Sequence, residues 1–331
     1  MKITIIYPPY SEEAPKNQPN ISEVAKNYGI YPSVTLGYVA AIMEQQGHKV
    51  QFIDANALSL SREEVIRQIK SFSPDMLAFT ITTYIFHQTI EYISHIKEQT
   101  HLPILAGGVH VELYPKETMH YKAIDYAIMG EADEALPDFL DAYEKGRDLS
   151  TVQSLVYRDK GGNVIVNPLR PLVQDISKTP FPARHLMPND RYYSFISQRK
   201  NFTGLISSRG CPFRCIYCEQ GSKKFRFRDA KNVVDEFEEC YDKHGVREID
   251  IFDSSFTINK QRVLDICKEI IERKIDISWS IRSRVDCINE EMMRAIKKAG
   301  CMRVYYGVES GNSIILRTLS KETDLDKIRD T

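Results

Sequence analysis

Hydrophobic and polar positions along residues 1–145 switch repeatedly between the two-residue period of a strand and the 3.6-residue period of a helix. Short apolar runs predict buried strands, and longer amphipathic runs predict helices between them. This alternation is typical of a parallel sheet with crossover helices, so the predicted fold class is α/β. Strands are predicted at 3–7, 49–54, 76–80, 102–106 and 125–129, and helices at 34–46, 62–72, 83–99 and 132–143.

The pattern breaks over residues 147–202, which are rich in Pro, Asp and Arg. Two short apolar runs, 155–158 and 164–167, flank Gly161-Gly162 and predict a β-hairpin. A segment with three prolines, 179–188, follows with little periodicity. We therefore expect a first domain over 1–146 and a linker with a hairpin over 147–202.

Strand and helix patterns resume at residue 203 and continue to the last residue of the sequence. Strands are predicted at 203–208, 247–252, 277–283 and 302–307, and helices at 231–243, 260–273, 290–299 and near 312–319. This order gives four strand–helix units and predicts a second α/β domain over 203–331.

Composition excludes several classes of protein. A net charge of -1 gives no overall field to attract nucleic acid. The basic run Lys223–Arg228, with its interleaved phenylalanines, is better explained by structure, with Arg226 or Arg228 near an active site. The sequence has no apolar run long enough for a membrane span and no cleavage site for a signal peptide. We expect a cytoplasmic protein, where thiols stay reduced.

Three of the seven cysteines lie close together at Cys211, Cys215 and Cys218, in a loop that follows a predicted strand. Thiolates hold iron–sulfur clusters, usually four to a cluster. Three ligands on a four-iron cluster would leave one iron open to a small molecule. A zinc site is the competing interpretation, but it requires a fourth protein ligand. The nearest downstream histidine, His244, lies in a helical pattern away from the loop.

The run SSRGCPFRCIYC at 207–218 resembles the signature of the radical S-adenosylmethionine (SAM) superfamily. Further stretches resemble members with an N-terminal cobalamin-binding domain, in the same order along the chain: 107–115, 179–188, 252–259 and 305–312. The resemblance implies an N-terminal doubly wound parallel sheet followed by a partial (β/α) radical SAM barrel. It also implies a [4Fe-4S] cluster on the three cysteines and reductive cleavage of SAM to an adenosyl radical.

The same resemblance assigns residues to SAM. Tyr217 lies where the family packs adenine, and Asp253 lies where it binds the SAM amine. Many relatives have two acidic residues in a row at the second place, whereas Ser254 follows Asp253 here. The alternative for Tyr217 is ordinary packing within the loop.

Basic and polar residues after the later strands complete the implied SAM site. Arg284, which shares a strand face with Arg282, would meet the SAM carboxylate, or else pair with Asp286. Glu309 and Ser310 match positions that bind the ribose or the carboxylate, with a helix-entry cap as the alternative. Cys240 and Cys267 are interpreted as packing residues, and Cys287 and Cys301 flank the third predicted helix of this domain, with a catalytic thiol among the four as the alternative.

The N-terminal domain has no G-x-G-x-x-G run, which argues against a dinucleotide site. The resemblance implies cobalamin instead, at the carboxyl edge of the sheet. The motif D-x-H-x-x-G is absent, so histidine ligation of cobalt is not expected, and His110 is as well explained by packing. A domain that keeps the fold without cobalamin is the alternative. The implied cobalamin contacts are Pro8, Pro9, Thr80, Thr82, Gly107, Gly108, Gly130 and Glu131.

The resulting hypothesis is a radical SAM enzyme that transfers a methyl group through cobalamin to an unactivated carbon. The alternatives are a radical cyclase or rearrangement enzyme, and a shortened, non-catalytic protein that binds the cluster or cobalamin. A methylthiotransferase is disfavoured because no cysteine precedes Cys211. The family's barrel has about six strand–helix units against four here, so the chain is expected to be a fragment or a short form. The implied partners are a small-molecule, natural-product or lipid-type substrate and a reduced flavodoxin- or ferredoxin-type electron donor.

Overall fold

The computed structural model describes residues 1–9, 29–220 and 223–331. These residues form two compact units. The first unit contains residues 1–173 and 179–195, and the second contains 174–178 and 196–331. None of the helices in the described ranges is long and apolar enough to cross a membrane.

The first unit is built on a seven-stranded sheet. The strands of this unit, inside and outside that sheet, are β1 Lys2–Tyr7, β2 Gly29–Ile30, β3 Lys49–Asp54, β4 Met76–Thr80, β5 Ile104–Gly107, β6 Tyr126–Ile128, β7 Leu155–Arg158, β8 Val164–Val166 and β9 Tyr193–Ser194. Its helices are α1 Val34–Gln45, α2 Arg62–Phe72, α3 Phe86–Thr100, α4 Val109–Leu113, α5 Pro115–His120 and α6 Ala132–Lys145. The sheet order is β3-β1-β4-β5-β6-β7-β8, and β2 pairs separately with β9.

Helices cover both faces of this sheet, which confirms the predicted doubly wound arrangement. Ile3 and Ile5 point toward α1 and α6, whereas Ile6 points toward α2 and α3. This alternation follows the two-residue period of a strand. Helix α2 begins with a capping box, in which Ser61 and Glu64 satisfy each other's backbone N–H groups.

The structure divides the predicted linker differently from the sequence. Strand β7 pairs antiparallel with β6, and β8 pairs with β7, so the hairpin extends the first sheet. Leu155 and Val156 are fully buried there. Residues 179–195 also belong to the first unit, whereas 174–178 belong to the second. The reason is physical, because pairing with β6 satisfies backbone groups that an exposed linker would leave to water.

The second unit contains four parallel strands in the order β10-β13-β14-β15. All strands of this unit, including the separate pair β11 and β12, are β10 Phe202–Leu205, β11 Ser208–Arg209, β12 Arg226–Phe227, β13 Glu248–Ile251, β14 Ser278–Ser283 and β15 Cys301–Tyr306. Its helices are α7 Ala230–His244, α8 Lys260–Glu272, α9 Glu290–Lys298, α10 Ser313–Thr318 and α11 Leu325–Asp330. The parallel order matches the four predicted strand–helix units.

One face of this second sheet packs on α7, α8 and α9. Ile249, Ile251 and Ile281 lie in that core, together with Trp279, which is 1% exposed. The opposite face carries polar side chains, because alternate residues of each strand point away from the helices.

Candidate functional site

The cysteine loop connects β11 to β12, which pair antiparallel at Arg209 and Arg226. Gly210 has a φ of +78°, and a side chain there would collide with the carbonyl oxygen of Lys224. The N–H of Cys211 donates to the carbonyl of Lys223 at 3.1 Å. Glycine is therefore required at 210 so that the two ends of the loop can approach each other.

The three thiols of the loop differ in exposure. Cys211 is buried, Cys215 is half-buried and Cys218 is exposed. Burial raises the pKa of Cys211, and the nearby thiols of Cys218 and Cys215 raise it further. Within the described ranges, no three His, Cys, Asp or Glu side chains are gathered closely enough to hold a single metal ion. Three soft sulfur donors on one short loop fit the ligand set of an iron–sulfur cluster.

Arg284 lies directly beside this loop. Its Nη1 is 3.7 Å from the Sγ of Cys215, and its guanidinium is 3.7 Å from the centre of the Phe213 ring. The same guanidinium donates to both carboxylate oxygens of Asp286, at 2.8 and 2.6 Å. The Asp286 pairing expected as the alternative is therefore present. A cation next to a cysteine favours its thiolate, which is the form that binds metal.

Asp253 follows the end of β13, as predicted, and has local hydrogen-bond partners. Its side chain is fully buried and accepts hydrogen bonds from the N–H and hydroxyl of Ser207 and from the N–H of Ser208, at 2.6–2.9 Å. The role of Asp253 at the SAM amine stays a prediction, and in this structure its oxygens are engaged by Ser207 and Ser208. Both carboxylate oxygens accept hydrogen bonds from Ser207 and Ser208, so Asp253 fixes the backbone that leads into the cysteine loop.

Arg262 on α8 completes this support, although nothing in the sequence pattern singled it out. Its guanidinium donates to the carbonyl of Ser207 at 2.9 Å and to the carbonyl of Arg228 at 2.9 Å. Burial lowers the pKa of Arg262 to about 10, and the charge of Asp253 opposes that shift. A buried cation and a buried carboxylate thus hold Ser207 from two sides. Such a pair is costly to break.

Tyr217, Glu309 and Lys321 meet at the other side of the loop. The Nζ of Lys321 is 3.0 Å from Oε1 of Glu309 and 3.4 Å from the hydroxyl of Tyr217. Glu309 also accepts a hydrogen bond from Tyr217. The hydrogen bond from Lys321 lowers the pKa of Glu309, whereas burial and the Glu309 carboxylate raise that of Tyr217. Lys321 was missed in the sequence because a single lysine in a polar run carries no signal.

The other predicted residues of this unit have local partners. The hydroxyl of Ser310 accepts from the N–H of Asn312, and it is the side chain of Asn312 that caps α10. Arg282 forms a bidentate pair with Asp250 at 2.9 and 3.0 Å on the polar face of the sheet. Arg228 pairs with the buried Glu236. These contacts neither assign nor exclude a ligand, and the SAM roles of Arg284, Glu309 and Ser310 stay predictions.

The predicted cobalamin contacts follow the carboxyl ends of neighbouring parallel strands in the first unit. They lie at or just after the ends of β1, β4, β5 and β6, which lie side by side in the sheet. Their side of the sheet is the one where ligands bind in open α/β folds. The residues are Pro8, Pro9, Thr80, Thr82, Gly107, Gly108, Gly130 and Glu131.

Glycine has two different tasks at this edge. Gly108 has a φ of +104°, and a Cβ there would lie 2.6 Å from the carbonyl oxygen of Ile81. Among the described residues, a Cβ on Gly107 would meet no atom closer than 4.0 Å, and one on Gly130, whose φ is +71°, none closer than 3.9 Å. Gly108 is therefore required by the fold itself. Open space over Gly107 and Gly130 fits the close approach of a flat macrocycle.

His110 is buried near this edge but is explained by packing. Its ring stacks on Phe86 with centroids 3.8 Å apart, and its Nδ1 lies 3.4 Å from the hydroxyl of Thr83. Burial lowers the pKa of His110, so the ring is neutral at pH 7.

Two family models match the chain. Residues 23–140 match the B12 binding domain, and residues 205–331 match the radical SAM superfamily. These ranges agree with the two units and with the position of the three cysteines.

Curated relatives align over most of the chain. An uncharacterized methyltransferase of Pyrococcus horikoshii is 34% identical over 97% of this chain and 68% of its own length. An anaerobic magnesium-protoporphyrin IX monomethyl ester cyclase of Rubrivivax gelatinosus is 27% identical over 99% of this chain and 59% of its own. The cytidylyl-2-hydroxyethylphosphonate methyltransferase of Streptomyces wedmorensis is 22% identical over 88% and 64%. The chain thus spans about two thirds or less of these proteins.

Solved structures share the fold. The cobalamin-dependent SAM radical enzyme OxsB, with aqua-cobalamin and SAM bound, has a TM-score of 0.79 at 20% identity, covering 98% of this chain and 46% of that one. The radical SAM methyltransferase TsrM of Kitasatospora setae, with cobalamin and a [4Fe-4S] cluster bound, has a TM-score of 0.72 at 18% identity, covering 95% and 60%.

Proposed function

We propose that this chain, which belongs to the radical SAM superfamily and carries a B12-binding domain, takes part in cobalamin-dependent methyl transfer from SAM to an unactivated carbon. Two of the three relatives described above are called methyltransferases. The observation that carries the proposal is the cysteine loop, in which three thiols lie on a segment closed at Gly210 and flanked by the Arg284 guanidinium.

Different residues of the chain have different roles in this proposal. Cys211, Cys215 and Cys218 would hold the [4Fe-4S] cluster. When bound, the cluster supplies the electron for reductive cleavage of SAM, and cobalamin supplies a carrier for the methyl group. Arg284 places a positive charge next to Cys215, one of the three residues that would hold the cluster. Asp253 holds the start of the loop in place through Ser207.

SAM would lie against the residues that surround the loop. The exposed ring of Tyr217 offers an apolar face for adenine. Glu309, with one third of its side chain exposed, offers a carboxylate to the ribose hydroxyls. Arg284 offers its guanidinium to the SAM carboxylate, in competition with Asp286. The proposal also includes a small-molecule or lipid-type substrate, a reduced flavodoxin or ferredoxin as electron donor, and a reducing compartment such as the cytoplasm.

A second candidate is a radical cyclase without methyl transfer, favoured by the alignment with a cyclase over 99% of this chain. The two candidates differ in their products from SAM. Methyl transfer from SAM would release S-adenosylhomocysteine, whereas reductive cleavage of SAM would release methionine and 5′-deoxyadenosine.

The test is an anaerobic incubation of the reconstituted chain with hydroxocobalamin, SAM and a strong reductant, followed by chromatography of both products. Methyl transfer predicts both products, and omitting cobalamin should remove only S-adenosylhomocysteine. Formation of 5′-deoxyadenosine alone, with cobalamin present, would favour the cyclase. Formation of neither product would count against both candidates.

A further inference from the structure

The segment Leu319–Lys321, which follows α10, contacts the cysteine loop and its neighbours in three places. The N–H of Ile216 donates to the carbonyl of Leu319 at 3.2 Å. The Nη2 of Arg284 donates to the carbonyl of Lys321 at 2.6 Å. The third contact is the side chain of Lys321, whose ammonium reaches Tyr217 and Glu309. Two of the three contacts use backbone carbonyls of the segment and do not depend on the side chains of Leu319 or Lys321.

The Lys321 side chain is buried, with 6% of it exposed. An ammonium group loses its hydration when it is buried, and the loss is tolerated only where charged or polar partners replace the water. The carboxylate of Glu309 at 3.0 Å and the hydroxyl of Tyr217 at 3.4 Å are those partners. Lys321 therefore holds two side chains together that are far apart in sequence.

The backbone around this cluster leaves little free volume. Glu309 has a φ of +64°, in the left-handed region that residues other than glycine rarely adopt. A Cβ on Gly307 would lie 2.7 Å from Oε1 of Glu309 and 3.0 Å from Nζ of Lys321. Glycine at 307 thus gives the ion pair the room it occupies. The strained backbone at Glu309 is consistent with a carboxylate whose orientation is needed for ligand binding.

We propose that Lys321 is a positioning residue for SAM: it orients the Glu309 carboxylate toward the ribose and holds the Tyr217 ring ready for adenine. The inference rests on the proposed function, because it assumes that SAM binds beside the cysteine loop. Lys321 does not contact the reacting atoms in this account. Its ammonium acts through Glu309 and Tyr217, while its backbone carbonyl supports Arg284 whatever the side chain.

Four variants test the proposal on the anaerobically reconstituted chain. Lys321→Met keeps the length of the side chain and removes its charge, and Lys321→Arg keeps the charge. Gly307→Ala crowds the same ion pair without removing it. Lys327→Met is the matched control, because Lys327 is an exposed lysine on α11. The measurements are iron content per chain and the Kd for SAM by equilibrium dialysis, without any turnover.

The expected result is that Lys321→Met keeps its iron and binds SAM about tenfold more weakly, because the charged hydrogen bond that orients Glu309 is lost. Gly307→Ala should weaken SAM binding in the same direction. Lys321→Arg should restore most of the affinity, and Lys327→Met should change nothing. If arginine at this position restores SAM binding, the effect of Lys321→Met comes from the lost charge and not from a general loss of folding.

Two results would overturn the proposal. One is SAM binding by Lys321→Met that equals or exceeds that of the unchanged chain. The other is loss of iron together with SAM in Lys321→Met, which would make the lysine a support of the whole loop. Failure of the unchanged chain to bind SAM would instead count against the proposed function, so the two failures are distinguishable.

Discussion

Arg284 and Cys215 are 69 residues apart in sequence, yet the Nη1 of Arg284 lies 3.7 Å from the Cys215 sulfur. Strand β14 ends just before Arg284, and the parallel sheet brings that end next to the cysteine loop. Asp286 and the carbonyl of Lys321 fix the guanidinium in this position. A permanent cation therefore stands beside one predicted cluster ligand.

We expect Arg284→Met to lower the midpoint potential of the reconstituted cluster. A hydrogen-bonded cation stabilises the reduced, more negative state more than the oxidised one, so its loss disfavours reduction. A difference of about 1 kcal/mol corresponds to about 40 mV for one electron. The measurement is a redox titration followed by electron paramagnetic resonance (EPR). Arg294→Met, at an exposed arginine on α9, is the control, and equal potentials in the two variants would contradict the expectation.

Asp253→Asn should destabilise the second unit by about 3 kcal/mol, because it removes a buried charge that accepts three hydrogen bonds and faces Arg262. Trp279 is the single tryptophan and lies in the core of that unit, so its fluorescence reports unfolding there. The measurement is urea unfolding of the chain without cofactors. Asp326→Asn, at an exposed position, should leave the midpoint unchanged. An unchanged midpoint for Asp253→Asn would contradict this structural role of the carboxylate.

The two carboxylates show what the sequence could predict and what it could not. Both Asp253 and Glu309 follow predicted strands, and their strand-end positions were inferred correctly from periodicity. Their partners depend on tertiary contacts with Ser207 and Lys321, 46 and 12 residues away. Periodicity locates an element and its faces, but it does not show which side chain from another element forms a hydrogen bond or ion pair with a given carboxylate.

The same limit applies to the hairpin at 155–166. Glycine and the flanking apolar runs predicted its two strands, but not their pairing with the edge of the first sheet. Pairing with an edge depends on which strand ends the sheet, and that is a property of the complete fold.

The stability contributed by Glu309 should depend on pH in the acidic range. Its hydrogen bond from Lys321 lowers its folded pKa below the ordinary value of 4.5, so the contribution is complete above that value and is lost as the pH falls through the folded pKa. With one third of the side chain exposed, we expect on the order of 1 kcal/mol or less. The measurement compares unfolding of the unchanged chain and Glu309→Gln at about pH 7 and about pH 3. A difference that persists undiminished at the lower pH would contradict this assignment.

Alkylation should distinguish the cysteines of the loop from the others. At pH 8, iodoacetamide should label the exposed Cys218 first. Burial raises the pKa of Cys287 and Cys301 to about 11, so only about one thiol in a thousand is a thiolate there. Mass spectrometry of peptides gives the order of labelling, and prior reconstitution with iron and sulfide should protect Cys218. Early labelling of Cys301 or no protection of Cys218 would argue against the site.

Gly107→Ala should leave the first unit folded and weaken binding of hydroxocobalamin. Among the described residues, the added Cβ meets no protein atom closer than 4.0 Å, so we expect the fold to tolerate it, while it would enter the space predicted for the macrocycle. We expect at least about a tenfold rise in the Kd, followed by absorbance. Gly311→Ala, where a Cβ also meets nothing, is the control in the second unit. Unchanged affinity in Gly107→Ala would exclude this part of the edge from the cobalamin site.

The central claim is that Cys211, Cys215 and Cys218 together hold a [4Fe-4S] cluster. The most direct measurement is iron and sulfide content with EPR of the reduced protein, after anaerobic reconstitution of the unchanged chain, Cys215→Ala and Cys287→Ala. The account predicts about four iron and four sulfide per chain with a [4Fe-4S] signal that changes when SAM is added. Both should persist in Cys287→Ala and be lost in Cys215→Ala. A cluster retained in Cys215→Ala, or none in the unchanged chain, would contradict the account.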